Sequence, residues 1–153
     1  PNEATAVVMV GEHRGIGLHN LLWILRTFPN HFKNFIFVSV GIVDVESFSA
    51  KKELTTMQEN TNEMLDYFVN YCQQQGLAAK GFAAYGTDPT EKLTRLSKKI
   101  IKEFPHSLFF ASKLIFSKDN WITRLLHNET AVMLQRRLHL LGVQLVILPM
   151  KID

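Results

Sequence analysis

The stretch Ala6-Val7-Val8-Met9-Val10-Gly11-Glu12-His13-Arg14-Gly15-Ile16-Gly17 decides the fold of this chain. Its first five residues are apolar without interruption and rich in β-branched side chains, as in a strand buried on both faces. Gly11 ends the run and a short polar loop follows. From about residue 16 the apolar residues take helical spacing, with Leu18, Leu21, Leu22 and Leu25 on the expected stripe, and Pro29 stops the helix. A buried strand leading into a helix is the opening of a βαβ unit.

The same alternation repeats outward from this unit. A second two-faced strand is expected over residues 35–40 and a long helix over 50–75. In that helix Leu54, Met57, Thr61, Met64, Leu65, Phe68 and Cys72 form one stripe, and Gly76 supplies the stop. A third strand is expected over 78–85. Asp88 is placed to cap a helix with Pro89 in its first position. That helix runs to Phe104, with Leu93, Leu96 and Ile100 inward, and Pro105 follows. A fourth strand over 107–112, a last helix over 121–141 closed by Gly142, and a fifth strand over 143–148 complete the order. Strands alternating with helices imply right-handed crossovers. The expected fold class is therefore α/β: a three-layer sandwich with a five-stranded, mostly parallel sheet, forming a single domain over residues 1–153.

Composition agrees. The chain has 153 residues, 46% of them hydrophobic and 20% charged, as in a globular domain able to bury a core without metal or disulfide. Cys72 is the sole cysteine, which excludes an internal disulfide and a cysteine-based zinc cluster. No apolar run reaches the roughly 20 residues of a membrane span. The net charge of +3 is only mildly basic, and no nucleic-acid partner is expected. That charge is unevenly placed. Residues 1–90 hold 6 Lys+Arg and 9 Asp+Glu, whereas residues 91–139 hold 10 Lys+Arg and 4 Asp+Glu. The basic side chains fall on the third helix (Lys92, Arg95, Lys98, Lys99, Lys102) and on the fourth loop and helix (Lys113, Lys118, Arg124, Arg136, Arg137). They form either a solvated face or one attracted to an anionic surface.

In parallel α/β sheets ligands bind beyond the carboxyl ends of the strands, so the loops at 11–17, 41–48, 86–88 and 112–120 are the places for a site. The sharpest motif is Gly11-x-x-x-Gly15-x-Gly17. Glycines between a strand and a helix N-terminus let backbone N–H groups approach a phosphate. The spacing resembles the cofactor loop of short-chain dehydrogenases. The Tyr-x-x-x-Lys pair of that family is absent, however: the residues four after Tyr67, Tyr71 and Tyr85 are Tyr71, Gln75 and Pro89. The nearest downstream acid, Asp44, lies well past the position that would hold a ribose. A second polar group, which includes Lys113, Arg124, His127 and Asn128, is a candidate anion or nucleotide site at the entrance to the last helix. His127-Asn128-Glu129 matches the H-x-E of zinc deaminases, but no P-C-x-x-C accompanies it. None of the six histidines has a partner at i+4, and no G-x-S-x-G elbow occurs. No metal and no catalytic residue are therefore expected.

The element order resembles the universal stress protein fold. Arg124-Leu125-Leu126-His127-Asn128-Glu129-Thr130 stands where that family carries R-L-L-x-G-S. Its ATP-binding members have glycines running from the fourth strand into the last helix. Here Ala111, Ser112, Lys113 and His127-Asn128 occupy those positions, and no glycine occurs between Gly86 and Gly142. The resemblance thus implies the fold without the triphosphate nest.

The chain more closely resembles the C-terminal cytoplasmic domain of bacterial permeases of the amino acid–polyamine–organocation superfamily. The residues carrying this resemblance are Gly15-Ile16-Gly17-Leu18-His19, Phe28-Pro29-Asn30-His31-Phe32-Lys33-Asn34-Phe35, Phe109-Phe110-Ala111-Ser112-Lys113, Thr123-Arg124-Leu125-Leu126-His127-Asn128-Glu129-Thr130-Ala131 and Gln135-Arg136-Arg137-Leu138. It implies a non-catalytic regulatory or interaction domain at the cytoplasmic face of the inner membrane. The partner would be the membrane-embedded transporter core of the same polypeptide, for an amino acid or cation. The absence of an initiator Met fits excision from a longer chain. No cofactor is expected on this reading. The alternative is an adenine-nucleotide module using Gly11, Gly15 and Gly17 with Lys113, Arg124, His127 and Asn128. A homodimer could form through the fifth strand if its edge is open.

Overall fold

The computed structural model describes residues 2–11, 14–42, 50–112 and 129–148. Within them the chain forms β1 (Thr5–Met9), α1 (Arg14–Thr27), β2 (Asn34–Ile42), α2 (Ala50–Gln74), β3 (Ala78–Gly86), α3 (Pro89–Glu103), β4 (Ser107–Ser112), α4 (Glu129–Leu140) and β5 (Leu145–Leu148). The fold is α/β, and all strand pairs are parallel, in the order β3-β2-β1-β4-β5. The central strand β1 pairs on one side with β2 (Val8 opposite Phe37) and on the other with β4 (Val8 opposite Phe110).

Successive strand residues point to opposite faces, and the sheet divides its apolar side chains accordingly. Ala6, Val8, Phe35, Phe37 and Phe110 pack against Leu21 and Ile24 of α1 and Phe68 and Cys72 of α2. Val7, Met9, Ile36, Val38 and Phe109 pack against Leu93 and Ile100 of α3 and Leu134 and Leu138 of α4. The result is a three-layer sandwich with two cores sharing one sheet.

Local signals place the helix ends. The Asp88 carboxylate accepts from the N–H groups of Thr90 and Glu91, and Pro89 begins α3, so the expected cap is present. Gly76 and Gly142 adopt φ of 78° and 91°. In each case the next residue donates back to the helix, Leu77 to the Cys72 carbonyl and Val143 to the Leu138 carbonyl, as in a Schellman ending. Val143 belongs to that ending, so β5 begins at Leu145 rather than at 143. The stretch Phe28-Pro29-Asn30-His31-Phe32 is a turn. His31 donates to the Phe28 carbonyl, and the rings of Phe28 and Phe32 meet edge to face at 5.7 Å.

A second expectation is corrected. Helix α1 does not bury Leu22, which is 38% exposed; its buried stripe is Gly17, Asn20, Leu21 and Ile24. The helix is apolar nearly all round, so periodicity leaves its rotation about its own axis open, and packing against β1 and α2 selects it. The stripe expected on α2 is the one observed, with Thr61, Met64, Leu65, Phe68 and Cys72 buried and Leu54 and Met57 half-buried. Residues 121–128 of the expected last helix lie outside the described residues.

Candidate functional site

The strand order reverses direction between β1 and β4: from β1 the chain moves to β2 and β3, whereas β5 lies beyond β4. Such a switch point opens a crevice at the carboxyl ends of those two strands. The described elements that border this switch point are the end of β1, the N-terminal turn of α1 and the end of β4. Strand pairing continues one residue past β1, since Val10 donates to the Val38 carbonyl at 2.9 Å, and Gly11 follows, half-buried.

The glycines expected to cradle a phosphate have different surroundings. Gly15 is exposed, and a Cβ built on it would meet none of the described residues within 4 Å. Gly17 is buried. A Cβ there would lie 2.6 Å from Cζ of Phe68 and 3.2 Å from Cγ1 of Val10. Gly17 therefore lets α1 approach α2 and β1 closely, the packing role of a glycine at a strand-to-helix turn. The remaining candidates, Lys113, Arg124, His127 and Asn128, lie outside the described residues, as do residues 43–49 of the loop after β2.

Two polar groups near the same end of the sheet went unrecognised in the sequence. Asn20 is 1% exposed, one turn beyond Gly17, and among the described residues its Nδ2 has no hydrogen-bond partner. The hydroxyl of Tyr85 is likewise buried, with no partner among the described residues. Tyr85 pairs across the sheet with Gly41, and its ring together with the Met57 sulfur fills the space a side chain at 41 would take. No sequence motif announces either group, because a single Asn between His19 and Leu21, or a single Tyr between Ala84 and Gly86, carries no spacing signal. Such orphaned groups are uncommon in folded proteins, since each forfeits its hydration without replacement.

At the sheet's outer edge, β5 is short. The Gln144 carbonyl takes the Phe109 N–H of β4, so the next carbonyl, Leu145, points away from the sheet. The Gln135 side chain of α4 donates to that carbonyl at 3.3 Å.

Cys72 is fully buried beneath α2, and burial pushes its thiol up to about 12. The folded protein thus holds a proton that the unfolded chain begins to release near pH 9.0, the ordinary value for a thiol. The stability contributed by the neutral thiol is complete below pH 9 and falls as the pH rises from there towards 12. The native thiol is expected to resist alkylation at pH 8 and to react fully in denaturant; rapid labelling of folded protein would contradict its burial.

Among the described residues no three His, Cys, Asp or Glu side chains gather as a metal site requires. No described helix is long and apolar enough to cross a membrane. Comparison with protein-family models and with curated proteins finds no match to this chain.

Proposed function

We propose that this chain is a non-catalytic regulatory or interaction domain with a universal-stress-protein-like fold, joined to the transmembrane core of a bacterial amino acid or cation permease at the cytoplasmic face of the inner membrane. The observation that carries the non-catalytic part is the Phe68 ring against Gly17. Gly17, inside α1, is accounted for by packing and needs no nucleotide to explain it. The strand order, with its switch point between β1 and β4, supports the fold assignment. The permease part rests on the resemblance of the quoted segments.

The coding sequence upstream of Pro1 tests the permease part. About ten to twelve apolar spans of roughly 20 residues are expected there, and an initiator Met immediately before Pro1 would overturn it. Calorimetric titration with ATP and with a cyclic dinucleotide tests the loss of nucleotide binding. No heat of binding is expected at millimolar ligand.

A second reading has one specific observation in its favour. Gly15 stands in the first turn of α1, where a Cβ would meet none of the described residues, and a helix N-terminus presents unpaired N–H groups and positive potential to an anion. On that reading the chain is an adenine-nucleotide module using Gly11, Gly15 and Gly17 with Lys113, Arg124, His127 and Asn128. Saturable ATP binding that Gly15→Val abolishes would replace the first reading with this one.

A further inference from the structure

The outer face of the α3–α4 layer carries an unusual combination of side chains. Helix α3 has five Lys or Arg and two Glu. Both glutamates are engaged: Glu91 with Arg95 at 2.9 Å, and Glu103 with Lys80 of β3 at 2.7 Å. Lys98, Lys99 and Lys102 remain exposed, with no ion pair among the described residues. The Lys99 ammonium lies 5.6 Å from the centre of the half-buried Phe82 ring. On α4 the residues opposite the buried Leu134 and Leu138 are Met133, Arg136, Arg137 and Leu140. Their i, i+3, i+4, i+7 spacing makes one outward stripe. Met133 is 51% exposed and Leu140 is 84% exposed, so two flexible apolar side chains bracket two arginines on open surface.

Helices α3 and α4 share the same core on one face of the sheet, so these residues lie on one side of the molecule. Cations alone would suit any acidic partner. Protruding apolar side chains among cations suit an interface that is both anionic and able to admit hydrocarbon. That is the headgroup–acyl boundary of an anionic bilayer, where Leu and Met insert and Lys and Arg meet phosphate. The cations are spread along two helices rather than gathered in a pocket. Mobile lipid headgroups can follow such a spread, whereas the fixed carboxylates of a protein must match it in position.

From this arrangement we infer that the α3–α4 face docks on the surface of an anionic lipid bilayer. Lys98, Lys102, Arg136 and Arg137 supply the attraction, and Met133 and Leu140 supply the insertion. The inference does not require a transmembrane core on the same polypeptide, because the face and its test belong to this chain alone.

Sedimentation of the 153-residue chain with vesicles tests it. Binding is expected to phosphatidylcholine vesicles containing phosphatidylserine, and not to phosphatidylcholine alone. It should weaken with added salt as the surface charges are screened. Each neutralised cation should weaken partitioning about fivefold, so Lys98→Gln with Lys102→Gln, or Arg136→Gln with Arg137→Gln, should weaken it about 25-fold. Leu140→Ser with Met133→Ser should weaken it further and leave what remains more sensitive to salt. Arg26→Gln with Lys52→Gln, on the opposite layer, should leave it unchanged. Far-UV circular dichroism confirms that each variant is folded.

Failure to bind serine-containing vesicles at low salt would overturn the inference, as would equal weakening by the opposite-layer pair. Binding to polyglutamate as tight as to vesicles, and indifferent to the apolar substitutions, would assign the face to an acidic protein segment instead. A concentration-dependent dimer abolished by Leu140→Ser would assign it to a second copy of the chain. Either result would overturn the membrane assignment.

Discussion

Phe68→Ala is expected to lower the stability of the fold by about 4 kcal/mol, the upper range for truncating a buried aromatic ring. Phe68 is fully buried. Its ring stacks on Phe37 of β2 with centroids 5.2 Å apart and planes 20° from parallel, and its far edge fills the space above Gly17 of α1. One side chain thus ties α2 to the sheet and to the first helix. Its removal leaves a hole walled by ring, backbone and β-branched side chains. Such a wall collapses poorly, and poor collapse places the loss at the high end. For a domain of this size the midpoint of thermal unfolding should fall by roughly 10 °C. Urea unfolding followed by circular dichroism measures the effect. A loss under about 1 kcal/mol would show that the ring does not bridge these three elements.

Gly17→Ala carries the second large effect, and its sign depends on the same ring. Replacing glycine by alanine in a helix ordinarily stabilises by up to about 1 kcal/mol. Here the added methyl would sit 2.6 Å from the Phe68 ring. Phe68 cannot swing aside, because it is stacked on Phe37 in a closed core. Overpacking of this kind costs about 1–3 kcal/mol and outweighs the propensity gain. A net loss of about 2 kcal/mol is expected. In a Phe68→Leu background the overlap is relieved, and Gly17→Ala should become neutral or stabilising. A double-mutant cycle measures the coupling directly, and additive effects would mean that the two positions do not touch.

These two residues also show why the candidate site was only partly legible in the sequence. Gly11, Gly15 and Gly17 form a recognisable motif because glycines between a strand and a helix recur for a shared backbone reason. The motif cannot say which glycine faces a ligand and which faces a neighbouring helix. Among the described residues nothing stands against Gly15, whereas Gly17 faces Phe68, a residue from a different element. The buried amide of Asn20 and the buried hydroxyl of Tyr85 were invisible for a related reason. Their burial follows from the rotation of α1 and from the glycine beneath the Tyr85 ring, and neither is a property of the local segment.

By itself the sequence determined the α/β class, the order of the nine described elements, both ends of α2 and α3, and the glycine that closes α4. Those features are local. Short β-branched runs favour strands, and the apolar stripe of α2 repeats at helical spacing. Asp88 satisfies N–H groups two and three residues ahead, and Gly76 and Gly142 take the positive φ that ends a helix. The charge excess after residue 90 was also legible, although its sharing of one outer face with Met133 and Leu140 was not. Only the tertiary structure decided the strand order β3-β2-β1-β4-β5, the rotation of α1 that exposes Leu22 and buries Asn20, and the fit of Phe68 against Gly17. The physical reason is that these depend on which distant surfaces close-pack without overlap or void, a condition set between segments that no segment contains alone.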